Sequence, residues 1–240
     1  MATSPRLRPI DYPTSDGKPM AETDRHRRLM MDLIETLEER YADDPGVYVS
    51  GDLLLFYEEG NKRRHVAPDV FVTFGIPKRA RDHDLLWLEG KGPDVVIEVT
   101  SKTTRREDQT KKRTLYQDVL RVPEYFQIDP TEDDLKPPFQ GHRLVDGAYV
   151  PIDPVNGRLP SAALGLLLER DGAHLHLIDP ATGLRLLTPR ERAEEEHRHR
   201  LEADRKRAEA EARAAEAEAE NDRLRRELEE LRRTLGRGGA

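Results

Sequence analysis

A strand-like run that carries two carboxylates constrains this chain more than any other stretch. Residues 92–101 read Gly-Pro-Asp-Val-Val-Ile-Glu-Val-Thr-Ser, with Asp94 and Glu98 among β-branched residues. β-branched runs favour strands, and a charge buried in a strand needs a partner because an unpaired one is costly. A similar run, 67–72, lies upstream and opens with Pro-Asp at Asp69. We expect these strands to form the centre of the fold.

Side-chain alternation predicts that the carboxylates of the two strands meet. It places Asp94, Glu98 and Thr100 on one face of the second strand, so Glu98 converges with Asp69 if the strands are neighbours. Two converging carboxylates repel unless one holds a proton or both bind a cation. Oxygen ligands favour Mg²⁺ or Mn²⁺, which can activate a water and stabilise charge on a phosphodiester. The alternative is structural pairing of each carboxylate with an Arg or Lys.

A lysine is the usual third member of such a site, where it orients the water and stabilises developing charge. On a strand it would stand two residues after Glu98, but position 100 is Thr. The nearest substitutes are Lys102, just past the strand, and Lys112 on the following helix. That helix begins after Arg105 and Arg106, where phosphate groups of a nucleic acid would be favoured. Lys112 could instead be a helix-surface lysine, and Lys102 could meet only phosphate or solvent.

The order of predicted elements indicates an α/β fold. Hydrophobic periodicity and turn residues predict helices over 23–41 and 106–120. Strands are predicted over 47–57 (with Gly51 as a bulge), 68–72, 94–100 and 124–129, hairpins over 142–152 and 165–178, and short strands at Trp87 and over 184–187. Hairpins combined with a helical crossover predict a sandwich with a central mixed sheet flanked by helices. We expect an irregular arm over 1–19, this domain with its hairpin extension over 20–189, and a tail over 190–240.

The tail has the composition of a long exposed helix. Residues 191–235 are almost entirely Ala, Glu, Arg and Leu. Four leucines follow one another at intervals of four, three and four residues, with Asn221 one helical turn earlier: Leu224, Leu228, Leu231 and Leu235. This spacing predicts a coiled coil that pairs two copies of the chain. The alternative is a solvated single helix held by charge pairs four residues apart.

Composition excludes several classes of protein. The 240 residues contain no Cys, which removes disulfides, thiolate zinc sites and cysteine nucleophiles and suits a reducing cytoplasm. No apolar run approaches the roughly 18 residues of a membrane span, so we expect no membrane partner. The formal net charge of −7 argues against a protein that coats nucleic acid without specificity.

Several motifs in a fixed order resemble the Uma family of restriction-endonuclease-like proteins, which have the PD-(D/E)XK nuclease-like fold. The match covers roughly 20–180 and rests on the runs 68–70, 93–101, 104–116 and 122–130. The family run Asp-x-x-x-Lys-x-x-x-Tyr corresponds here to Asp108, Lys112 and Tyr116. The set in this order is specific, whereas a single Pro-Asp carries no information. Thr100 departs from the parent Glu-x-Lys pattern, although Uma-like proteins generally lack that lysine.

The resemblance implies roles for individual residues. Asp69 and Glu98 would be metal ligands, together with the backbone carbonyl of Val99, and Lys112 would be the displaced catalytic lysine. Glu22 in the first helix is a candidate outer ligand by the same resemblance. Asp94 is a second candidate, although an Asp after Pro at a strand entrance often caps a turn. His26 is interpreted as a surface or capping residue and Tyr116 as a packing residue.

The sequence therefore predicts a Mg²⁺-dependent endonuclease that hydrolyses DNA phosphodiester bonds with a metal-activated water. A dimer formed by the tail suits double-strand cleavage, because each strand needs its own site. The alternative is a catalytically inactive nucleic-acid-binding or adaptor module of the same fold. The missing strand lysine, the negative net charge and a tail suited to partners favour that alternative.

Overall fold

The computed structural model describes residues 12–15, 23–100 and 107–237. In chain order the elements are α1 (Asp24–Arg40), β1 (Val47–Ser50), β2 (Leu55–Phe56), β3 (His65–Val66), β4 (Val70–Phe74), β5 (Asp84–Leu85), α2 (Leu86–Glu89), β6 (Val95–Val99), a π-helical segment (Glu107–Lys112 and Leu115–Val119), β7 (Glu124–Ile128), β8 (Phe139–Val145), β9 (Ala148–Pro151), β10 (Leu159–Ser161), β11 (Leu166–Asp171), β12 (His174–Ile178) and α3 (Pro189–Arg237). The chain divides into one unit that ends at Pro189 and another that begins at Arg190.

The first unit is built on a mixed sheet with strand order β1-β4-β6-β7-β8-β9. β6 and β7 are parallel, and every other neighbouring pair in this sheet is antiparallel. A helical crossover joins the parallel pair and hairpins join others, as parallel and antiparallel pairs require. The predicted α/β fold with a central mixed sheet is therefore confirmed.

Helix α1 covers one face of the central sheet. Thr23 caps its start, since the Thr23 hydroxyl accepts a hydrogen bond from the backbone N–H of His26 at 3.2 Å. Its leucines at helical spacing, Leu29, Leu33 and Leu37, are buried against alternate residues of β4 and β6. Burying each leucine contributes about 1.5–3 kcal/mol. The sheet β10-β11-β12 packs into the same core.

The opposite face of the sheet is covered by the π-helical segment. Tyr116 is fully buried there among Phe71, Val96 and Tyr125. The backbone N–H of Leu120 donates to the carbonyl five residues before it, at Leu115, at 3.0 Å. The predicted helix is therefore present, but it is wound more widely than an α-helix, a form that often occurs at functional sites.

The predicted strand over 47–57 is two strands in different sheets. β1 lies at the edge of the central sheet, whereas β2 pairs with β3 and β5 in a small separate sheet. Between them the chain turns at Gly51 and at Asp52, whose φ is 49°. The interruption is thus a sharp change of direction rather than a bulge.

Two smaller predictions are wrong. Trp87 lies in the short helix α2, not in a strand, and the helix ends at Gly90 with φ of 80°. Residues 184–187 do not form a regular strand; Arg185 makes an isolated bridge to Ile178. Turn residues on both sides leave these segments too short to pair along their length.

The second unit is the helix α3, which exposes Leu201, Leu224 and Leu228. Charge pairs four residues apart, such as Arg207–Glu211 and Arg223–Glu227, run along it. In the part of the chain that the structure describes, no helix is long and apolar enough to span a bilayer.

Candidate active site

The two predicted strands are neighbours, and their register brings the carboxylates together. β4 and β6 are antiparallel with Val70 opposite Ile97, so one step further along this register places Asp69 opposite Glu98. Phe71 and Val96 belong to the core on the π-helical side of the sheet. By alternation, the side chains of Asp69 and Glu98 lie on that side as well.

Glu98 is fully buried, and two side chains of the π-helical segment contact its carboxylate. Lys112 Nζ lies 2.8 Å from Oε2, and the Tyr116 hydroxyl donates to Oε1 at 2.6 Å. Burial first, and then the charge of Glu98, raise the pKa of Tyr116 well above its usual value, so the phenol stays protonated as a donor. The charge-assisted bonds compensate the desolvation of this carboxylate.

Asp69 is held in place from the backbone of β6 and from α1. Its Oδ2 accepts the N–H of Val99 at 2.7 Å and lies 3.4 Å from Nε2 of the buried His26. Burial alone would raise the pKa of Asp69, but the adjacent His26 ring, the charge of Lys112 and the N–H of Val99 together lower it. Asp69 is therefore ionised at neutral pH.

A tight turn fixes the backbone around Asp69. The N–H of Asp52 donates to the carbonyl of Pro68 at 2.8 Å. A Cβ at Gly51 would overlap the backbone oxygen of Asp69 and lie 2.6 Å from Ile34 Cδ1. Only glycine lets the chain pass so close to this carbonyl, so Gly51 positions Asp69 without contacting the second carboxylate.

The donors at this edge of the sheet fit a hard divalent cation. Both contacts of Asp69 within the described residues go to Oδ2, so Oδ1 is available, and 13% of the side chain is exposed. Since Thr100 N–H bonds to β7 at Ile128, the neighbouring Val99 turns its N–H and carbonyl towards Asp69. Two carboxylates and a carbonyl are the oxygen donors that Mg²⁺ or Mn²⁺ prefers. No group of three or more His, Asp or Glu ligands occurs among the described residues.

The other predicted site residues are placed differently. Asp94 lies at the far end of β6, where it accepts the N–H of Phe74 at 2.7 Å and pairs with Lys91. It therefore caps the end of β4 and is not brought to Asp69 and Glu98. The remaining candidates lie outside the described residues: Glu22, Lys102, Arg105 and Arg106.

Two residues contribute more than the sequence interpretation gave them. His26 is 1% exposed and faces Asp69, rather than lying at the surface. Tyr116 packs in the core as predicted, but its hydroxyl also contacts Glu98. The position of Tyr116 four residues after Lys112 is a signal that could have indicated this role, because such residues share a helix face.

Gln127 was missed altogether. It stands next to Glu98 in the parallel register of β6 and β7 and is only 2% exposed. A polar residue inside the apolar run Tyr-Phe-Gln-Ile was the available signal.

Comparisons with known proteins give a match to a family model and a similarity to a solved structure. The family model Uma2, described as "Putative restriction endonuclease", matches residues 6–171. A crystal structure described as a "putative nuclease belonging to DUF820" from Anabaena variabilis ATCC 29413 is similar at 17% identity and a TM-score of 0.45, over 61% of this chain and 76% of that chain. No curated protein matches the chain. Since the family model covers more than half of the sequence, the chain belongs to the Uma2 family, and this membership supports a nuclease.

Proposed function

We propose that this protein is a metal-dependent endonuclease that hydrolyses phosphodiester bonds of DNA. One observation carries the proposal: Asp69 and Glu98 lie opposite each other at one end of two central strands, and the ammonium group of Lys112 contacts the Glu98 carboxylate. Family membership supports the nuclease class, and the oxygen donors support Mg²⁺ or Mn²⁺ as the ion.

Asp69, Glu98 and the Val99 carbonyl would hold the ion. When bound, a divalent ion supplies a water of lowered pKa and stabilises negative charge on the phosphate. His26 and the Val99 N–H fix Oδ2 of Asp69, which directs Oδ1 towards the site. The hydroxyl of Tyr116 fixes Oε1 of Glu98 by donating a hydrogen bond to it.

We assign Lys112 the role of the catalytic lysine. Its ammonium group contacts Glu98 at 2.8 Å, and its charge also acts on Asp69. It would neutralise the charge that develops on the phosphate or orient the attacking water. Because Lys112 comes from the helical segment rather than from β6, it compensates for Thr100 on the strand.

The nucleic acid would approach from the start of the helical segment. Lys102, Arg105 and Arg106 precede that segment in the sequence and remain our candidates for phosphate contacts. Pairing through α3 would supply a second active site for the second DNA strand.

One observation favours a second function, a binding or adaptor module without turnover. Both oxygens of Glu98 have contacts, from Lys112 and Tyr116. The protein's own ammonium and hydroxyl groups thus satisfy this carboxylate without a metal ion, as a module without turnover would require.

Cleavage of supercoiled plasmid and of single-stranded DNA and RNA, with Mg²⁺ or Mn²⁺, tests the proposal. We expect the wild type to cut DNA, and Asp69→Asn and Glu98→Gln to lose cutting while keeping the fold. Asp94→Asn is the matched control, since it changes a carboxylate at the other end of the same strand and keeps an acceptor for Phe74. Equal cutting by wild type and Glu98→Gln would overturn the site, and an intact wild type that cuts nothing would favour the binding module.

A further inference from the structure

A row of polar side chains crosses the central sheet from the carboxylates to a separate cavity. Glu98 stands beside Gln127 in the register of β6 and β7, and Gln127 stands opposite Gln140 of β8. Neighbouring strands lie about 4.8 Å apart. The row therefore leads from Glu98 to Gln127 over one strand spacing and on to Gln140 over a second.

The cavity has a volume of about 390 Å³ and is lined by polar groups of three elements. Arg113, the residue after Lys112, enters it from the π-helical segment, Gln127 from β7 and His142 from β8. Asp134 and Lys136 contribute opposite charges to its lining.

Three side chains that line this cavity have a buried nitrogen without a hydrogen-bond partner in the described part of the chain. These are Nε of Arg113, Nε2 of Gln127 and Nδ1 of His142. Gln127 is 2% exposed, so its amide N–H groups cannot bond bulk water freely. Buried polar groups are normally paired, and an unpaired donor costs stability. Three such nitrogens around one cavity indicate a ligand that accepts hydrogen bonds.

Arg113 adds an uncompensated positive charge. It makes no ion pair with any carboxylate among the described residues. Arg113 and His142 line the same cavity. Burial first, and then the charge of Arg113, lower the pKa of His142 to about 4, so the imidazole is neutral at pH 7. A guanidinium, an amide and an imidazole N–H together suit an anion with several acceptor oxygens.

We propose that Arg113, Gln127 and His142 form a phosphate-binding subsite that holds a phosphodiester of the nucleic-acid strand next to the one at Asp69 and Glu98. The subsite rests on the proposed function for its place in the reaction, since it sets the position of the strand relative to the carboxylates. Arg113 and Gln127 donate to the phosphate oxygens, and consecutive Lys112 and Arg113 serve adjacent groups of the same strand.

Binding without divalent ions tests the subsite separately from cleavage. Amide and guanidinium ¹⁵N spectra of the full chain are recorded during titration with a thymidine dinucleotide, which has one phosphodiester, and with inorganic phosphate. We expect the dinucleotide to shift the Nε–H signal of Arg113 and the amide signals of Gln127. If only inorganic phosphate shifts them, or neither probe does, the assignment to a nucleic-acid phosphodiester is overturned.

Variants give a second readout. Arg113→Gln should weaken binding of a short oligonucleotide and reduce the slope of log K against log salt by about 0.7–0.9, the loss of one phosphate contact. Arg213→Gln, on the exposed helix α3, removes the same charge and should leave the oligonucleotide affinity and the salt slope unchanged. Gln127→Leu should weaken binding yet keep or raise the melting temperature of the free protein, because it removes an unpaired buried donor. A lower melting temperature with unchanged binding would show a purely structural role.

The two proposals fail separately. If the dinucleotide binds at Arg113 and Gln127 but the wild type cuts no DNA, the proposed function fails and the subsite stands. If the wild type cuts DNA and Arg113→Gln and Gln127→Leu change neither binding nor the salt slope, the subsite alone is overturned.

Discussion

The hydroxyl of Tyr116 donates a 2.6 Å hydrogen bond to Oε1 of Glu98, and both side chains are fully buried. This bond joins the central strand of the candidate site to the helical segment that carries Lys112. A residue that sequence reasoning assigns to packing thus determines the orientation of the carboxylate. Its removal should affect stability and activity together.

Tyr116→Phe keeps the ring in the core and deletes the donor. Because hydrogen bonds to charged groups contribute about 1.5–3 kcal/mol, we expect the free energy of unfolding to fall by about that amount. Tyr149→Phe is the control, since the Tyr149 hydroxyl donates to the neutral carbonyl of Val122 at 3.0 Å and should cost about 0.5–1.5 kcal/mol. Urea unfolding of both variants measures the difference, and equal losses would contradict a charge-assisted bond.

Lys112→Met removes the cation from a buried carboxylate. Breaking a buried ion pair costs about 3–5 kcal/mol, and the 16% exposure of the lysine side chain places the expected loss near the lower end. Since Glu98 then loses the ammonium group of Lys112, added Mg²⁺ should raise the melting temperature of the variant more than that of the wild type.

Lys91→Met is the matched control for Lys112→Met. Lys91 pairs with Asp94 at the other end of β6 and is 39% exposed, so its loss should cost about 0–1 kcal/mol. Its melting temperature should respond to Mg²⁺ as the wild type does. Equal Mg²⁺ responses in all three proteins would argue against Glu98 as a metal ligand.

Much of this arrangement was predictable from local patterns. The alternation of β6 and its β-branched residues predicted that Glu98 faces Asp69. Periodicity placed Lys112 on a helix after that strand. These inferences depend on residues close in sequence and on the pairing of two strongly patterned strands.

The parts that the sequence did not reveal depend on tertiary contacts. His26 lies at the start of α1, and only packing of that helix on the sheet brings its ring to Asp69. Gly51 was interpreted as a bulge from its local sequence. Its close approach to the Asp69 carbonyl brings together two segments that are distant in sequence, so the local pattern does not reveal it. Gln127 gains a role only through the register of β6 and β7.

Gly51→Ala should disturb Asp69 without changing any charged group. The added methyl would overlap the Asp69 backbone oxygen, and such overpacking typically costs about 1–3 kcal/mol. We expect lower stability and weaker cleavage. Gly92→Ala is the control, because its Cβ would lie 3.6 Å from Leu86 Cδ1, an ordinary contact. Cleavage rates and urea unfolding measure both variants; wild-type cleavage by Gly51→Ala would show that Asp69 tolerates displacement.

Asp84, in the small sheet, predicts a pH dependence of stability. Burial first raises its pKa, and the nearby Arg81 only partly offsets this, so the pKa is about 6. The fold therefore favours the protonated carboxyl, and its contribution is present below pH about 4 and is lost as the pH rises through about 6. Relative to Asp84→Asn, the wild type should lose about 3 kcal/mol across this window, since one pKa unit corresponds to about 1.4 kcal/mol. Unfolding of both proteins from pH 4 to 7 measures the difference, and a constant difference would contradict the raised pKa.

The exposed leucines of α3 predict self-association. Leu224 and Leu228 are 51% and 55% exposed on this helix, and their spacing continues from Asn221 at the a and d positions of a heptad. Charge pairs along the helix contribute only about 0.2–0.5 kcal/mol each. They do not explain why leucines occupy these positions. Burial between two copies of the helix does account for them.

Leu224→Glu with Leu228→Glu should convert a dimer into a monomer of 27.5 kDa, because two charges would have to enter the apolar seam. Truncation after Pro189 should have the same effect. Ala219→Glu places the same residue on the outer face of the heptad and should leave the dimer intact. Light scattering measures the mass of each protein. If the double variant keeps the mass of the wild type, α3 is a single solvated helix, and any pairing of active sites must use another surface.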